Sequence, residues 1–258
     1  DIGDASYLNV TAEFRDRDAT NRAGISNRKD RVIMRLGDSS SENKYLFFNG
    51  EAGIAYFFGG VSSRTGQSGG FYRFEDRADR NIPQVYSDGF LPLQNTSVDD
   101  TSLAFGVRDF IGESWEYDLS AVYGKNEYGF VASNSINASI AAQYVANNPG
   151  ASDADIAANS GPTRADSGGI DFTQMTYNFD LSSPLDWGLY DDVYLSMGLE
   201  YREEDYGINA GELVSYSCGY TGGTNNPFPS VIDPNVAAAC GIQGFPGYSP
   251  DIAASSQR

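Results

Sequence analysis

The sequence predicts an all-β chain: an antiparallel sheet forming part of a transmembrane β-barrel. Three observations predict it. Apolar and polar residues alternate with period two over stretches of about ten residues, which gives each strand one apolar and one polar face. The strands are joined alternately by very short and very long connections, so the short ones gather at one end of the sheet and the long ones at the other. No stretch is apolar for long enough to be a spanning helix. The most weakly polar run, 52–61, is about half of the ~20 residues such a helix needs.

The first strand is expected over 7–17, with Leu8, Val10, Ala12 and Phe14 on one face and Asn9, Thr11, Glu13 and Arg15 on the other. A polar stretch, 18–42, follows, and within it 31–36 is a candidate extension of the next strand. The second strand, 43–51, alternates less cleanly because Phe47 and Phe48 put an aromatic on each face. Ala52 and Gly53 turn the chain into the third strand, 54–64. The loop 65–98 has a glycine run, Pro83 and Pro92, all of which argue against regular structure.

The clearest unit is the hairpin 99–130, turning at 111–114. Leu103, Phe105 and Val107 line one face of its first arm. Trp115, Tyr117, Leu119, Ala121 and Tyr123 line one face of the second, against Glu116, Asp118, Ser120 and Gly124, with Val122 as the exception. A third loop, 132–169, holds a short helix at 140–146. The sixth strand, 170–181, sets Met175, Tyr177, Phe179 and Leu181 against Gln174, Thr176, Asn178 and Asp180. After a turn at 182–192, the seventh, 193–207, sets Val193, Leu195, Met197, Leu199 and Tyr201 against Ser196, Glu200 and Arg202. The last loop, 208–258, reaches no further strand.

Strands of this length suit a bilayer crossed at ~45°. Short turns at one end and long loops at the other are the pattern of outer-membrane barrels. Phe110, Trp115 and Trp187 near the short turns, and Tyr123, Tyr128 and Tyr201 toward the loops, occupy the places of two aromatic girdles. The opposite face carries Glu13, Arg15, Asn49, Glu116, Asp118, Asn178, Asp180, Glu200 and Arg202, too many charges for a dry core. Barrels with a large plugged lumen have about 22 strands, so seven strands are about a third of one. Alone they form an open, curved sheet with unpaired edges at the first and seventh strands.

Composition narrows the function. Seventeen basic against 35 acidic residues give a net charge of −18, which argues against nucleic acid as a partner. The chain has no His, so histidine-based catalysis and His-ligated zinc are excluded. No other catalytic constellation is present, and no enzyme activity, cofactor or resident metal is expected. Cys218 and Cys240 share one Gly/Pro-rich loop and read as a structural disulfide made in an oxidising compartment.

Several stretches carry a family likeness. NVTAEFRDRDATNRAG (9–24), GFYRFEDRADRNIPQVYSDGFLPLQNT (70–96), WEYDLSAVYGKNEYGF (115–130) with NSINASI (134–140), and LEYREEDYGINAGE (199–212) follow one another in order. In these the chain resembles TonB-dependent outer-membrane receptors. The resemblance implies a 22-stranded barrel in the bacterial outer membrane, in contact with outer-membrane lipid. It also implies an N-terminal plug domain and energy delivered by the TonB complex. Residues 1–258 would be a middle part of that barrel, with the plug and the C-terminal strands outside it. The implied function is import of a scarce small molecule such as a ferric siderophore, haem, cobalamin or an oligosaccharide. A passive porin, or a soluble β-rich adhesin or glycan-binding domain, remains an alternative. A plug domain upstream of Asp1 distinguishes import from a porin, and detergent dependence distinguishes both from the soluble domain.

The candidate ligand contacts are Phe71, Tyr72, Arg73, Arg77, Arg80, Tyr86 and Phe90 in the second long loop. Aromatic faces and arginine forks together suit a planar anion. The same arginines alternate with Glu75, Asp76 and Asp79, and a self-neutralised, solvated loop accounts for them at least as well. Asp16 with Asp18, and Glu203, Glu204 and Asp205, have carboxylates of the kind Ca²⁺ takes. They lack the loop spacing of a calcium site and read as solvated charge.

Overall fold

Residues 6–20, 40–223 and 228–257 are described by a computed structural model. The candidate extension at 31–36 lies outside the described residues. The chain forms one antiparallel sheet whose strands follow in sequence order: β1 (Ser6–Arg17), β2 (Ser40–Ala52), β3 (Ala55–Gly69), β4 (Leu93–Ile111), β5 (Trp115–Ser133), β6 (Ala165–Leu185), β7 (Val193–Asn209) and β8 (Ser255–Gln257). The sheet is open. Among the described residues, β1 is hydrogen-bonded to β2 alone, and β7 carries on its far side only the three residues of β8.

β8 corrects the expectation that the last loop reaches no strand. Three residues are too few for a period to register in sequence, and β8 exists because Asp205, Tyr206 and Gly207 at the end of β7 offer a free ladder.

The register keeps the faces separate. Leu8, Gly50, Phe57, Phe105, Ala121, Tyr177 and Tyr201 form one row across seven strands, each opposite its neighbour. Above it lies the row Val10, Phe48, Gly59, Leu103, Tyr123 and Met175. A slip of one residue in any strand would turn its apolar side chains to the other face. Tyr177 and Tyr201 stack at 6.3 Å within this face. Phe110 and Tyr128 are corrections to the girdle expectation: the register puts both on the polar face, Phe110 opposite Glu116 and Tyr128 with its ring 4.6 Å from that of Phe130.

The short turns are 53–54, 112–114 and 186–192, and the described long connections are 70–92, 134–164 and 210–254. Gly112 has φ +70°, a left-handed conformation that a residue with a Cβ rarely adopts, so the β4–β5 hairpin depends on it.

The strands run further at the loop end than their alternation predicts. β3 reaches Gly69 rather than 64, β4 begins at Leu93 rather than 99, and β6 at Ala165 rather than 170. These extensions are mostly polar, with Leu93 and Val98 too far apart to leave a hydrophobic period to read. Their ladder is supplemented by side chains: Gln67 Nε2 donates to Asn95 Oδ1 at 2.8 Å, and Asn95 Nδ2 to Ser133 Oγ at 2.8 Å.

Beyond that end the connections fold together. α1 (Ala138–Asn147) starts at Asn137, whose side chain accepts from the Ser139 amide, and extends the expected 140–146 helix by a few residues. α2 (Asp153–Ala158) was not expected. Its signal is the capping box of Ser152 and Asp155. α3 (Leu213–Tyr216) is a single turn. Ile82, Phe90, Ile136, Ala138, Ala141, Ala142, Ile156 and Ala238 share one buried cluster, and Ala132, Ile140, Ala165, Val214 and Ile242 a second. The hydrophobic core therefore sits in a cap over one end of the sheet.

Candidate ligand-binding cap

The second long loop is pinned at its base. Gly70 donates to the Pro92 carbonyl at 2.8 Å, and Arg73 and Phe90 exchange both backbone hydrogen bonds, at 2.7 and 2.8 Å. Gly89 has φ +84°, and a Cβ there would stand 2.2 Å from the Arg73 carbonyl oxygen, so only glycine allows this closure. The loop then makes a helical turn, with the Arg80 and Asn81 amides both donating to the Arg77 carbonyl. Asn81 is fully buried, and its Nδ2 donates to the carbonyls of Glu75 and Tyr86. The last loop clamps this turn from outside, with Ala239 N donating to Asp79 O at 2.7 Å and Ser230 Oγ to Ala78 O.

Two arginines converge here on one carboxylate, with a third beside them. Arg77 meets Asp79 through Nε and Nη2, each at 3.1 Å, and Arg80 Nε meets it at 3.0 Å. Arg80 Nη1 also donates to Gln243 Oε1 at 3.1 Å. Arg73 donates to that same Gln243 oxygen at 3.3 Å and to the Phe71 carbonyl at 3.0 Å. Among the described residues Arg73 has no carboxylate within ion-pair distance.

The titration directions follow this arrangement. Burial, then the charges of Arg80 and Arg77, lower the Arg73 pKa, with Asp79 opposing them weakly. Burial alone would raise the Asp79 carboxyl. Hydrogen bonds from Arg77 and Arg80 outweigh it and hold the group below its ordinary value. Arg77 is raised, first by its hydrogen bond to Asp79. A guanidinium partly desolvated beside two others, with only neutral oxygens as partners, is a site that gains from an incoming anion.

The seven predicted contacts do not form one platform. Phe71 is 77% exposed and shows an open ring. Tyr72 donates its hydroxyl to the Asp88 carbonyl at 2.8 Å and meets Phe74 edge-on at 5.3 Å, and burial raises its pKa. Tyr86 stacks on Phe90 at 4.5 Å, and burial raises its hydroxyl pKa too. Phe90 is 3% exposed and belongs to the cap's core, where its ring offers no face to a ligand. Gln243, which orients two of the arginines, escaped the sequence reading. It lies 163 residues from Arg80, and no local pattern marks it.

Cys218 and Cys240, both in the last loop, are bonded, with Cα atoms 4.5 Å apart, and Cys218 is fully buried. Among the described residues no group of three or more His, Cys, Asp or Glu is placed to hold a metal ion, and no helix is long and apolar enough to cross a membrane. No family model, curated protein or solved structure matches the chain.

Proposed function

We propose that this chain is part of the wall of a β-barrel in the bacterial outer membrane. More particularly, we propose that the barrel is a TonB-dependent receptor, which captures a small anionic nutrient, such as a ferric chelate, at the cell surface and imports it. The observation that carries the reading is the apolar row from Leu8 to Tyr201 across seven strands, with a charged opposite face and, among the described residues, a folded cap at the long-loop end only. An apolar face of this extent needs lipid or an apolar partner outside the chain. The polar face would then line the lumen, and the edges at β1 and β7 would continue into neighbouring strands.

The proposed activity is binding and passage, with Arg73, Arg77 and Arg80 as the anion contacts of the cap and Phe71 as the open aromatic. The partners would be outer-membrane lipid, the TonB complex through a part of the protein outside this chain, and the small-molecule substrate. Uptake by the full-length receptor in intact cells tests it. Replacing Arg73, Arg77 and Arg80 by Ala should reduce surface binding and uptake of an anionic ferric chelate about tenfold or more while the barrel still inserts. Uptake should also stop when the TonB complex is removed, whereas a passive pore would continue unchanged.

A further inference from the structure

A second group of basic residues lies on the sheet itself, on the polar face near its loop end. The register puts Arg15, Asn43, Arg64, Val98 and Tyr128 in one row across β1 to β5. Arg15 and Arg64 are thus two strands apart, about 10 Å at ordinary strand spacing, with Asn43 between them. The row above adds Arg17, and the row below adds Tyr45. Together these residues line a cavity of about 600 Å³. Phe245 of the last loop stacks on Phe130 at 4.2 Å, and Gln94 Nε2 donates to the Gly244 carbonyl at 2.8 Å. That loop therefore reaches over the same face at its upper end.

The charges in this cavity are only partly balanced. Arg15 pairs with Glu13 at 2.7 Å, but both side chains are largely exposed, so solvent screens the pair. Arg64 has no ion pair or side-chain hydrogen bond with a described residue. Asp100, the nearest carboxylate along the β3–β4 register, already accepts from Ser62 at 3.1 Å and Asn126 at 2.5 Å. Asn43 is 6% exposed, lines the same cavity, and has its amide free of hydrogen bonds to the described residues.

We propose that this row is a binding site for a small organic anion carrying two or more carboxylates. The guanidiniums of Arg15 and Arg64 take separate carboxylates, and the Asn43 amide donates to one of them. Tyr45 and Tyr128 flank the ligand's body. The site is distinct from the cap arginines, and it rests on the geometry of the sheet rather than on transport.

Titration calorimetry of the full chain folded in detergent, with benzene-1,3,5-tricarboxylate as the probe, tests it. The tricarboxylate should bind, weaken as salt is raised, and lose about tenfold or more in affinity in Arg64→Gln and in Arg15→Gln. Lys125→Gln, on the opposite face, should bind as the parent does, and the uncharged benzene-1,3,5-trimethanol should not compete. A second measurement needs no variant: the tricarboxylate should protect Arg15 and Arg64 from phenylglyoxal, read by peptide mass. No binding by the parent, equal binding by the triol, or full affinity in both arginine variants would overturn the proposal. Unprotected Arg15 and Arg64 would do the same.

Discussion

Leu199 on β7 is 75% exposed, while Ile136, a few residues into the third loop, is wholly buried. The contrast holds across the two regions. The sheet presents Leu8, Val10, Phe14, Leu103, Phe105, Leu119 and Met197 outward, and the cap buries Ile82, Ile140 and Ile242. In an ordinary domain the sheet is the core and the loops are its solvated fringe. Here the loops have a core of their own, joined by strand-end residues such as Ala132 and Ala165, and the sheet's large apolar side chains on the outer face lie outside it. The difference teaches that the two regions place their hydrophobic groups differently: the cap covers its own within the chain, and the sheet leaves one face uncovered by the described residues.

The comparison breaks most sharply in the cap. Ile136→Ala removes buried methylenes from a packed cluster and should destabilise the cap by about 2–5 kcal/mol. Hydrogen exchange should show amides in 70–92 and 134–164 losing protection while those of β5 and β6 keep theirs. Equal loss in the sheet would mean that cap and sheet unfold as one unit.

On the sheet the test is a matched pair. Leu119 lies on the apolar face and Ser120 on the polar one. If the apolar face meets lipid, Leu119→Arg near its middle should cost about 2–4 kcal/mol, measured by denaturant titration in lipid vesicles. Ser120→Arg should change stability little. Similar losses at both positions would remove the distinction between the faces.

How far the sequence foretold these regions follows from the same physics. The strands were legible wherever one face is apolar and the other polar, as in Trp115 to Tyr123, because alternation is a local signal. Their polar extensions, such as Gln94 to Ser97 in β4, were not, because the ladder and side-chain hydrogen bonds hold them. The cap was the least legible. Phe90 read as a ligand-facing aromatic because nothing near it shows that α1 and α2, residues 138–158, will cover it. Arg80 meets Gln243, and Ser135 Oγ donates to the Gln243 carbonyl at 2.6 Å, through contacts spanning more than a hundred residues. The arginines themselves were visible, but their sharing of Asp79 was one of several pairings the sequence allowed.

A smaller effect belongs to the link between Cys218 and Cys240, which closes a loop of 22 sequence steps. Chain entropy assigns about 3 kcal/mol to such a closure, confined to local order. Cys218→Ser with Cys240→Ser should loosen 210–254 in hydrogen exchange and leave β1 to β5 unchanged. If the sheet's thermal transition moved with it, the cap would be a structural partner of the sheet rather than a separately folded layer.

The smallest expected effect is the pH response of the cap, and it turns on Asp79. Its folded pKa is depressed, because two charge-assisted hydrogen bonds outweigh the burial that opposes them. A depressed carboxyl contributes stability that is present above its unfolded pKa, about 3.9, and lost as pH falls through the lower folded value. The cap should therefore show no Asp79-dependent change between neutral pH and about pH 5, and should loosen only in stronger acid. Protonation would leave Arg77 and Arg80, with Arg73 nearby, without the carboxylate those two share, so repulsion adds to the lost hydrogen bonds. The backbone bond from Ala239 to the Asp79 carbonyl does not titrate and should keep the loop anchored, which limits the effect to the arginine turn. Hydrogen exchange at Arg80 and Asn81, followed down the acid range, reads it. Asp79→Asn should flatten the acid response at these amides and lower their protection at neutral pH. An unchanged acid response in that variant would place the titrating group elsewhere and leave the arginine cluster without its proposed organiser.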